Sequence, residues 1–338
     1  MTIFIGSKGK RAGLALSGGG FRAAAFHLGA FRKLHQLGLL WKLDLLTCVS
    51  GGSIAGAFLA CHWGEDDALD KLENYLRTRS IAVSSVIGGA LDPFHSRLDK
   101  LAATYERDLY GQRTLGSLQN GPRLYLNATN LATGNMFFFV GGGGVAGKAE
   151  MGEWELGATE AAGFPLSRAV AASSAFPPVF PPLRVDQSQY PAAGVDYVTL
   201  TDGGVYDNLG VNPLFRKRNA LDYLIVSDAG KPFAIDERPT EAGSAVLLAA
   251  IGILMEQVRS LQFKRLELNA GAEGGARPVW FSIDSKVGEE REGDADFASA
   301  IGTNLTRLSA AEMTVLARHA GALLTHRLQT YVPELLGA

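Results

Sequence analysis

Residues 43–62 constrain the fold of this 338-residue chain most, because they combine a short apolar segment, a sharp turn and an alanine-rich helical pattern. Ser50 falls at the tip of the turn, where its hydroxyl is held clear of its own backbone at the positive end of the following helix. Gly51 and Gly52 supply the small neighbours that such a turn needs. The pattern suits a nucleophile, but it is equally typical of a plain loop or a helix N-cap.

A second stretch repeats this order of apolar strand, turn and helix, with Gly18, Gly19 and Gly20 in the turn. The backbone N–H groups of such a turn bind anions, and the helix dipole assists them. A dinucleotide would require glycine where Ala23 stands, and a nucleotide triphosphate would require Gly-Lys-Ser/Thr, which the turn lacks. The turn is therefore predicted to hold the oxyanion of an acyl intermediate formed at Ser50.

Asp202 ends a third apolar stretch, residues 197–200, and Gly203 and Gly204 follow it. The carboxyl ends of parallel strands meet at one edge of a sheet, so Asp202 is expected to lie near Ser50. An Asp-Gly pair after a strand is also a common turn, and that interpretation stays open.

The patterns along the chain predict a three-layer α/β fold with a mainly parallel central sheet and helical additions at the C-terminus. Residues 1–338 are expected to form one domain, with a core over about 12–230 and an extension over about 240–338. His95 is interpreted as a polar residue at a helix start, and Phe137-Phe138-Phe139 as a core strand in preference to a membrane-wetting patch. Helices are predicted over residues 66–79, 93–110, 166–175, 244–267 and 310–331.

Composition narrows the class of protein. A net charge of −2 gives no basic field, so nucleic acid is not an expected partner. Cys48 and Cys61 show no metal-type spacing, which predicts no metal or cofactor and a reducing compartment, with one buried disulfide left open. The first eleven residues lack the apolar core of a secretion signal, and the apolar run 245–255 is too short to span a bilayer. A cytoplasmic location is predicted, with peripheral membrane contact left open.

The helix predicted at 244–267 is apolar first and then basic, with Arg259, Lys264 and Arg265. Packing on the sheet is the favoured interpretation. Attachment to an anionic membrane through the three cations is the alternative.

Three sequence blocks occur in the order expected of one known family, and together they resemble the patatin-like phospholipases. The first block is also similar to that of the cytosolic phospholipase A enzymes, and residues 171–177 are similar to a further patatin block. The resemblance covers roughly residues 12–230. Cys48 and Ala23 depart from it, because each replaces a usual glycine. The three blocks are Ser-Gly-Gly-Gly-Phe-Arg at 17–22, Cys-Val-Ser-Gly-Gly at 48–52 and Asp-Gly-Gly at 202–204.

The resemblance implies a lipid acyl hydrolase acting on phospholipid or another acyl lipid, with transient contact to a membrane surface. Asp202 would act as base without a histidine, since His319 and His326, the two that follow it, lie in the final helix, where packing explains them. A neutral-lipid or lysophospholipid esterase is one rival, and a nucleotide- or acyl-binding module is another. The oligomeric state stays open. The implied site consists of Ser50 as nucleophile, Asp202 as its partner, Gly18, Gly19, Gly20 and Gly51 as the oxyanion hole, and Arg22 facing the substrate phosphate.

Overall fold

A mixed β-sheet forms the centre of the protein in the computed structural model, which describes residues 9–81, 97–144, 148–191, 194–233, 239 and 241–337. Within these ranges, ten strands form one sheet in the spatial order β10-β9-β1-β2-β3-β4-β5-β6, while β8 pairs with β3 and β7 with β8. The strands are β1 (Ala12–Leu16), β2 (Leu45–Cys48), β3 (Arg123–Asn130), β4 (Met136–Gly142), β5 (Glu150–Glu153), β6 (Gly157–Glu160), β7 (Leu183–Asp186), β8 (Tyr197–Asp202), β9 (Tyr223–Asp228) and β10 (Arg277–Ser282).

The centre of the sheet is parallel, as predicted. Strands β10, β9, β1, β2 and β3 run in one direction, and the strands beyond β3 pair in antiparallel fashion. Leu14 and Leu16 lie in the larger hydrophobic core on one face, whereas Ala15 between them lies in the smaller core on the other. Burial on both faces explains why these strands are continuous apolar runs.

Helices cover both faces of this sheet, which gives the predicted α/β architecture. The larger core contains side chains of α1, α2 and α9, including Phe26, Ile54 and Leu316. The C-terminal part of the chain belongs to the same layers, because β10 pairs with β9 and α9 packs on α1. The described helices are α1 (Gly20–Gln36), α2 (Gly51–Cys61), α3 (Ala68–Thr78), α4 (Arg97–Tyr105), α5 (Leu166–Ser173), α6 (Gly204–Asp207), α7 (Gly243–Ala270), α8 (Asp294–Ala300) and α9 (Ala310–Tyr331).

Several local predictions agree with these elements. The last helix has the predicted bounds, and the three phenylalanines of β4 are buried in the core, as expected. Cys48 and Cys61 are both free thiols, so the disulfide left open by the sequence is not formed. His95 and the predicted helix start at 93 lie outside the described residues.

β8 has the opposite direction from the one expected. The sequence predicts Asp202 at the end of a parallel strand, but β8 is antiparallel to β3, with Asp202 opposite Ala128. β2 ends with Cys48 opposite Leu126, and β3 continues beyond that point. β8 therefore runs in the direction opposite to β2 and β3, and its last residue, Asp202, still lies at the sheet edge where Ser50 follows β2.

α7 packs on the sheet only through its second half. Leu266 is fully buried in the smaller core, whereas residues 246–250 are all exposed. The preferred interpretation of a helix packed on the sheet is therefore wrong for the first half. Among the described residues, α7 is the one helix that is long and apolar enough to cross a membrane by length and composition.

The three cations of α7 are engaged by the protein. Arg259 Nε donates to Asp228 at 2.7 Å, Arg265 donates to the Asn212 side chain at 2.6 Å, and Lys264 Nζ pairs with Glu267 at 3.0 Å. The alternative of a basic surface facing an anionic membrane therefore loses its main support.

Candidate active site

Ser50 lies on a strained turn between β2 and α2. Its φ of 51° and ψ of −117° place it in a region that side-chain-bearing residues rarely occupy. Its backbone N–H donates to the carbonyl oxygen of Ser173 at 3.1 Å and to Ser173 Oγ at 3.2 Å, which holds the turn from behind. The residue is half-buried, with its hydroxyl at the N-terminus of α2, where the helix dipole favours negative charge.

The turn at Ser50 presses directly against the glycine turn that follows β1. A Cβ on Gly51 would lie 2.1 Å from the carbonyl oxygen of Gly20, closer than real Cβ atoms approach. A Cβ on Gly18 would lie 3.1 Å from Ser50 Cβ. Glycine is therefore needed at these positions because two backbones meet there without space for side chains.

Some of the backbone N–H groups at this contact between the two turns already donate a hydrogen bond, and others do not. Gly18 donates its N–H to the carbonyl oxygen of Asn208 at 3.1 Å, so the predicted oxyanion role of Gly18 does not fit this conformation. The N–H groups of Gly19, Gly20 and Gly51 have no acceptor among the described residues. These three groups stand at the N-terminal ends of two helices, where free N–H groups favour an anion.

Asp202 is buried next to Ser50. Its Oδ1 accepts the N–H of Gly204 at 2.7 Å, while Oδ2 has no partner within the described part of the chain. Burial raises the pKa of this carboxyl to about 7, although the Gly204 N–H and the nearby Ser50 hydroxyl act to lower it. A carboxylate with one free oxygen and a pKa near neutrality is suited to take a proton from a neighbouring group.

Ser173, in the block at 171–177, joins the turn at Ser50 to the turn that follows Asp202. Besides holding the Ser50 N–H, its carbonyl oxygen accepts the N–H of Gly203 at 3.3 Å. Its hydroxyl donates to the carbonyl oxygen of Asn127 at 2.6 Å and lies 2.7 Å from Ser53 Oγ. This block shows a family resemblance in the sequence, but no role is predicted for it there. The hydrogen bonds indicate that Ser173 positions Ser50 relative to Asp202.

His27 supports the glycine turn from inside the protein and was not predicted. Its Nε2–H donates to the carbonyl oxygen of Ser17 at 2.9 Å, so Nδ1 accepts the Ser227 hydroxyl at 2.8 Å. Burial lowers the pKa of His27 to about 4, and the ring is therefore neutral. It orients the residue that precedes Gly18.

Arg22 does not face a substrate. Its side chain is fully buried, and its guanidinium donates to the carbonyl oxygens of Ile301 at 2.8 Å and Ala229 at 3.0 Å. Burial lowers the pKa of Arg22 to about 10, which Asp228 partly offsets. The predicted contact with a phosphate is therefore wrong for this conformation, and Arg22 instead joins the glycine turn to two distant segments of the chain.

Arg22→Ala is consequently expected to act on stability and not on substrate choice. The change leaves two buried carbonyl oxygens without donors and a cavity, which should cost about 3 kcal/mol or more. Hydrolysis of a phospholipid and of a short-chain ester should fall by the same factor, and thermal unfolding by circular dichroism should show the loss. A selective loss on the phospholipid at unchanged melting temperature would restore the phosphate role.

No histidine among the described residues forms a hydrogen bond with Ser50 or Asp202. His319 is buried in α9, where Nε2 donates to the carbonyl oxygen of Ile283 at 2.9 Å, and His326 packs next to Gly288. Both therefore have the structural positions that the sequence indicates.

The two departures from the family pattern are accommodated by small neighbours. The Cys48 thiol occupies the space beside Gly56, where a Cβ would lie only 2.3 Å from its sulfur. Ala23 is fully buried, with its Cβ 3.1 Å from the position of a Cβ on Gly19. The turn geometry at Ser50 forms with Cys48 in place.

A central α/β sheet with a serine on a sharp turn between a strand and a helix is an arrangement that is also found in hydrolases. A family model described as patatin-like phospholipase matches residues 14–215, more than half of the chain. The chain therefore belongs to the patatin-like phospholipase family, which supports the general class of lipid acyl hydrolase.

Solved structures agree with the fold. Human GIVD cytosolic phospholipase A2, in complex with methyl gamma-linolenyl fluorophosphonate inhibitor and terbium chloride, has a TM-score of 0.61 at 14% identity over 97% of this chain and 59% of that chain. A second structure of the human enzyme has a TM-score of 0.61 at 13% identity over 97% and 62%. The chain thus spans about three fifths of these proteins. No curated protein matches its sequence significantly.

Proposed function

We propose that this protein is a serine acyl hydrolase that cleaves fatty acyl esters of phospholipids through an acyl-enzyme intermediate, with Ser50 as nucleophile and Asp202 as base. The observation that carries the proposal is the free Oδ2 of buried Asp202 beside a serine held in a strained turn. Strain and burial of this kind cost stability and are typical of reactive sites.

In the first half of the reaction, Ser50 Oγ attacks the ester carbonyl carbon and its proton passes to Asp202 Oδ2. The carbonyl oxygen becomes an oxyanion, which accepts hydrogen bonds from the N–H groups of Gly19, Gly20 and Gly51. The carbon–oxygen bond to the alcohol then breaks, and Asp202 returns its proton to the leaving alkoxide oxygen. The acyl chain stays bound to Ser50.

In the second half, Asp202 takes a proton from water as the water oxygen attacks the acyl-enzyme. The second tetrahedral intermediate uses the same three donors, and collapse returns the proton to Ser50 Oγ and releases the fatty acid. Ser173 keeps Ser50 and Asp202 in position throughout, since it accepts hydrogen bonds from the backbone N–H groups of Ser50 and Gly203.

A neutral-lipid or lysophospholipid esterase is the second candidate, and burial of Arg22 favours the neutral-lipid substrate, because a lysophospholipid still carries a phosphate. With Arg22 bonded to two carbonyl oxygens, the cation that the sequence assigned to a phosphate is taken up inside the protein. A comparison of kcat/KM on phosphatidylcholine, lysophosphatidylcholine and a diacylglycerol separates the candidates.

A fluorophosphonate probe tests whether the site is catalytic at all, because it labels activated serines. Wild type should be labelled at Ser50, as shown by peptide mass spectrometry, and Ser50→Ala should not be labelled. Ser260→Ala is the control, since Ser260 is exposed on the second half of α7, and it should keep the label at Ser50. An unlabelled, folded wild type would favour a module that binds lipid or nucleotide without chemistry.

A further inference from the structure

The first half of α7 is apolar in sequence, and most of its residues are exposed. Residues 245–255 contain no charged side chain. Residues 246–250 are five consecutive exposed positions, and at 100° per residue they point in every direction around the helix axis. The most exposed apolar side chains are Val246 at 46%, Leu247 at 61%, Leu248 at 44%, Ile253 at 48% and Leu254 at 65%.

The second half of the same helix is fixed to the protein. Arg259 donates to Asp228 at 2.7 Å, and that carboxyl lies buried at the end of β9. Leu266 is buried and Phe263 packs against the smaller core. The whole helix cannot cross a membrane without breaking these contacts, so the free segment is the N-terminal half alone.

The C-terminal end of this free segment, Met255, lies near the edge of the sheet that carries Ser50 and Asp202, here called the catalytic edge. The terminal methyl of Met255 lies 3.3 Å from the position of a Cβ on Gly204, two residues after Asp202. An apolar phase that receives residues 245–255 therefore also lies next to the turn that follows Asp202.

The segment is too short to span a bilayer and can enter only one leaflet. Eleven helical residues are about 16 Å long at about 1.5 Å per residue. One leaflet contributes about 15 Å of the roughly 30 Å hydrocarbon core. A second copy of the chain would cover one side of the helix, whereas residues 246–250 are exposed on all sides.

We propose that residues 245–255 lie along one leaflet of a lipid bilayer, at the boundary between headgroups and acyl chains, with Glu241 and the N-terminus of α7 among the headgroups, and that they hold the catalytic edge at the membrane surface. This inference rests on the proposed function, because an enzyme whose substrate is a membrane lipid must bring its active site to the membrane surface. Apolar burial supplies the binding, and since Arg259, Lys264 and Arg265 have partners in the protein, anionic lipid is not required.

The test uses the Ser50→Ala protein, so that membrane binding is measured without turnover. It should sediment with phosphatidylcholine vesicles, and addition of anionic lipid should change the bound fraction by less than about twofold. Adding Leu247→Ser and Leu254→Ser should weaken the partition at least about tenfold. The matched control adds Leu261→Ser and Leu268→Ser, which are 69% and 67% exposed on the anchored half, and should stay within about twofold.

A depth measurement gives a second readout. An environment-sensitive dye on Leu247→Cys, in a Cys61→Ala background, should shift its emission to the blue on vesicles, while the same dye on Leu268→Cys should not. Buried Cys48 should stay unlabelled, because burial raises the pKa of its thiol.

Three results would overturn the inference: no vesicle binding, equal losses in the two double variants, or a dimer in light scattering that Leu247→Ser and Leu254→Ser dissociate. The last result would assign the segment to a second copy. Failure of the proposed function gives a different result, because the enzyme with Ser50 intact would then bind vesicles but hydrolyse neither lipid nor a soluble short-chain ester.

Discussion

Asp202→Asn is expected to lower turnover about 10⁴-fold or more, almost as far as Ser50→Ala, while the protein stays folded. Asparagine keeps the shape of the side chain and can still accept the Gly204 N–H, but it cannot take the Ser50 proton. The measurement is kcat on a soluble short-chain ester, with circular dichroism as the check on folding.

Histidine variants supply the contrast. His319→Ala and His326→Ala should retain most of their turnover, although His319→Ala should lower the melting temperature, because His319 is fully buried. If either variant lost about a thousandfold in kcat while remaining folded, a triad would replace the proposed pair.

The raised pKa of Asp202 predicts a second difference between wild type and Asp202→Asn, which is a dependence of activity and stability on pH. Wild-type kcat/KM should rise with pH through about 7, as the carboxyl becomes ionised, and then level off. Because the folded pKa lies above the unfolded value, folded protein binds the proton between about pH 4 and 7, and the free energy of unfolding falls as pH rises through that window. Asp202→Asn has no buried carboxylate to ionise. The melting temperature of the variant minus that of wild type should therefore be largest at pH 8 and should decrease toward pH 4.

The sequence predicted correctly those features that depend on residues close together in the chain. The turn at Ser50 follows from an apolar strand, small residues and an alanine-rich helix, and α9 follows from its helical periodicity. These features depend on neighbours within a few residues, which the sequence displays directly.

Long-range contacts account for the errors. The direction of β8 depends on its pairing with β3, about seventy residues earlier, and the burial of Arg22 depends on carbonyl groups at 229 and 301. The exposed first half of α7 is apolar enough to resemble a core helix, and sequence periodicity does not state what covers it. Gly18 was predicted as a donor because nothing in the sequence reveals that Asn208 would occupy its N–H.

Gly51→Ala is expected to lower kcat at least about 10³-fold, because the added methyl would enter the contact between the two turns. Its Cβ would lie 2.1 Å from the Gly20 carbonyl oxygen and 2.8 Å from the Gly20 nitrogen. Both are backbone atoms, so relief requires the turns to separate. Separation moves the N–H donors of Gly20 and Gly51 apart, and one lost donor costs roughly 10²- to 10³-fold.

Gly163→Ala is the matched control for the glycine substitution, since no atom lies within 4 Å of its Cβ position and its φ is ordinary. It should keep wild-type kcat and a wild-type or slightly higher melting temperature, because alanine restricts the unfolded chain. Gly51→Ala should instead melt earlier and react more slowly with the fluorophosphonate probe, which also develops negative charge on an oxygen during attack. Wild-type kcat in Gly51→Ala would contradict an oxyanion site at the contact between the two turns, and would direct the search for donors elsewhere on this edge of the sheet.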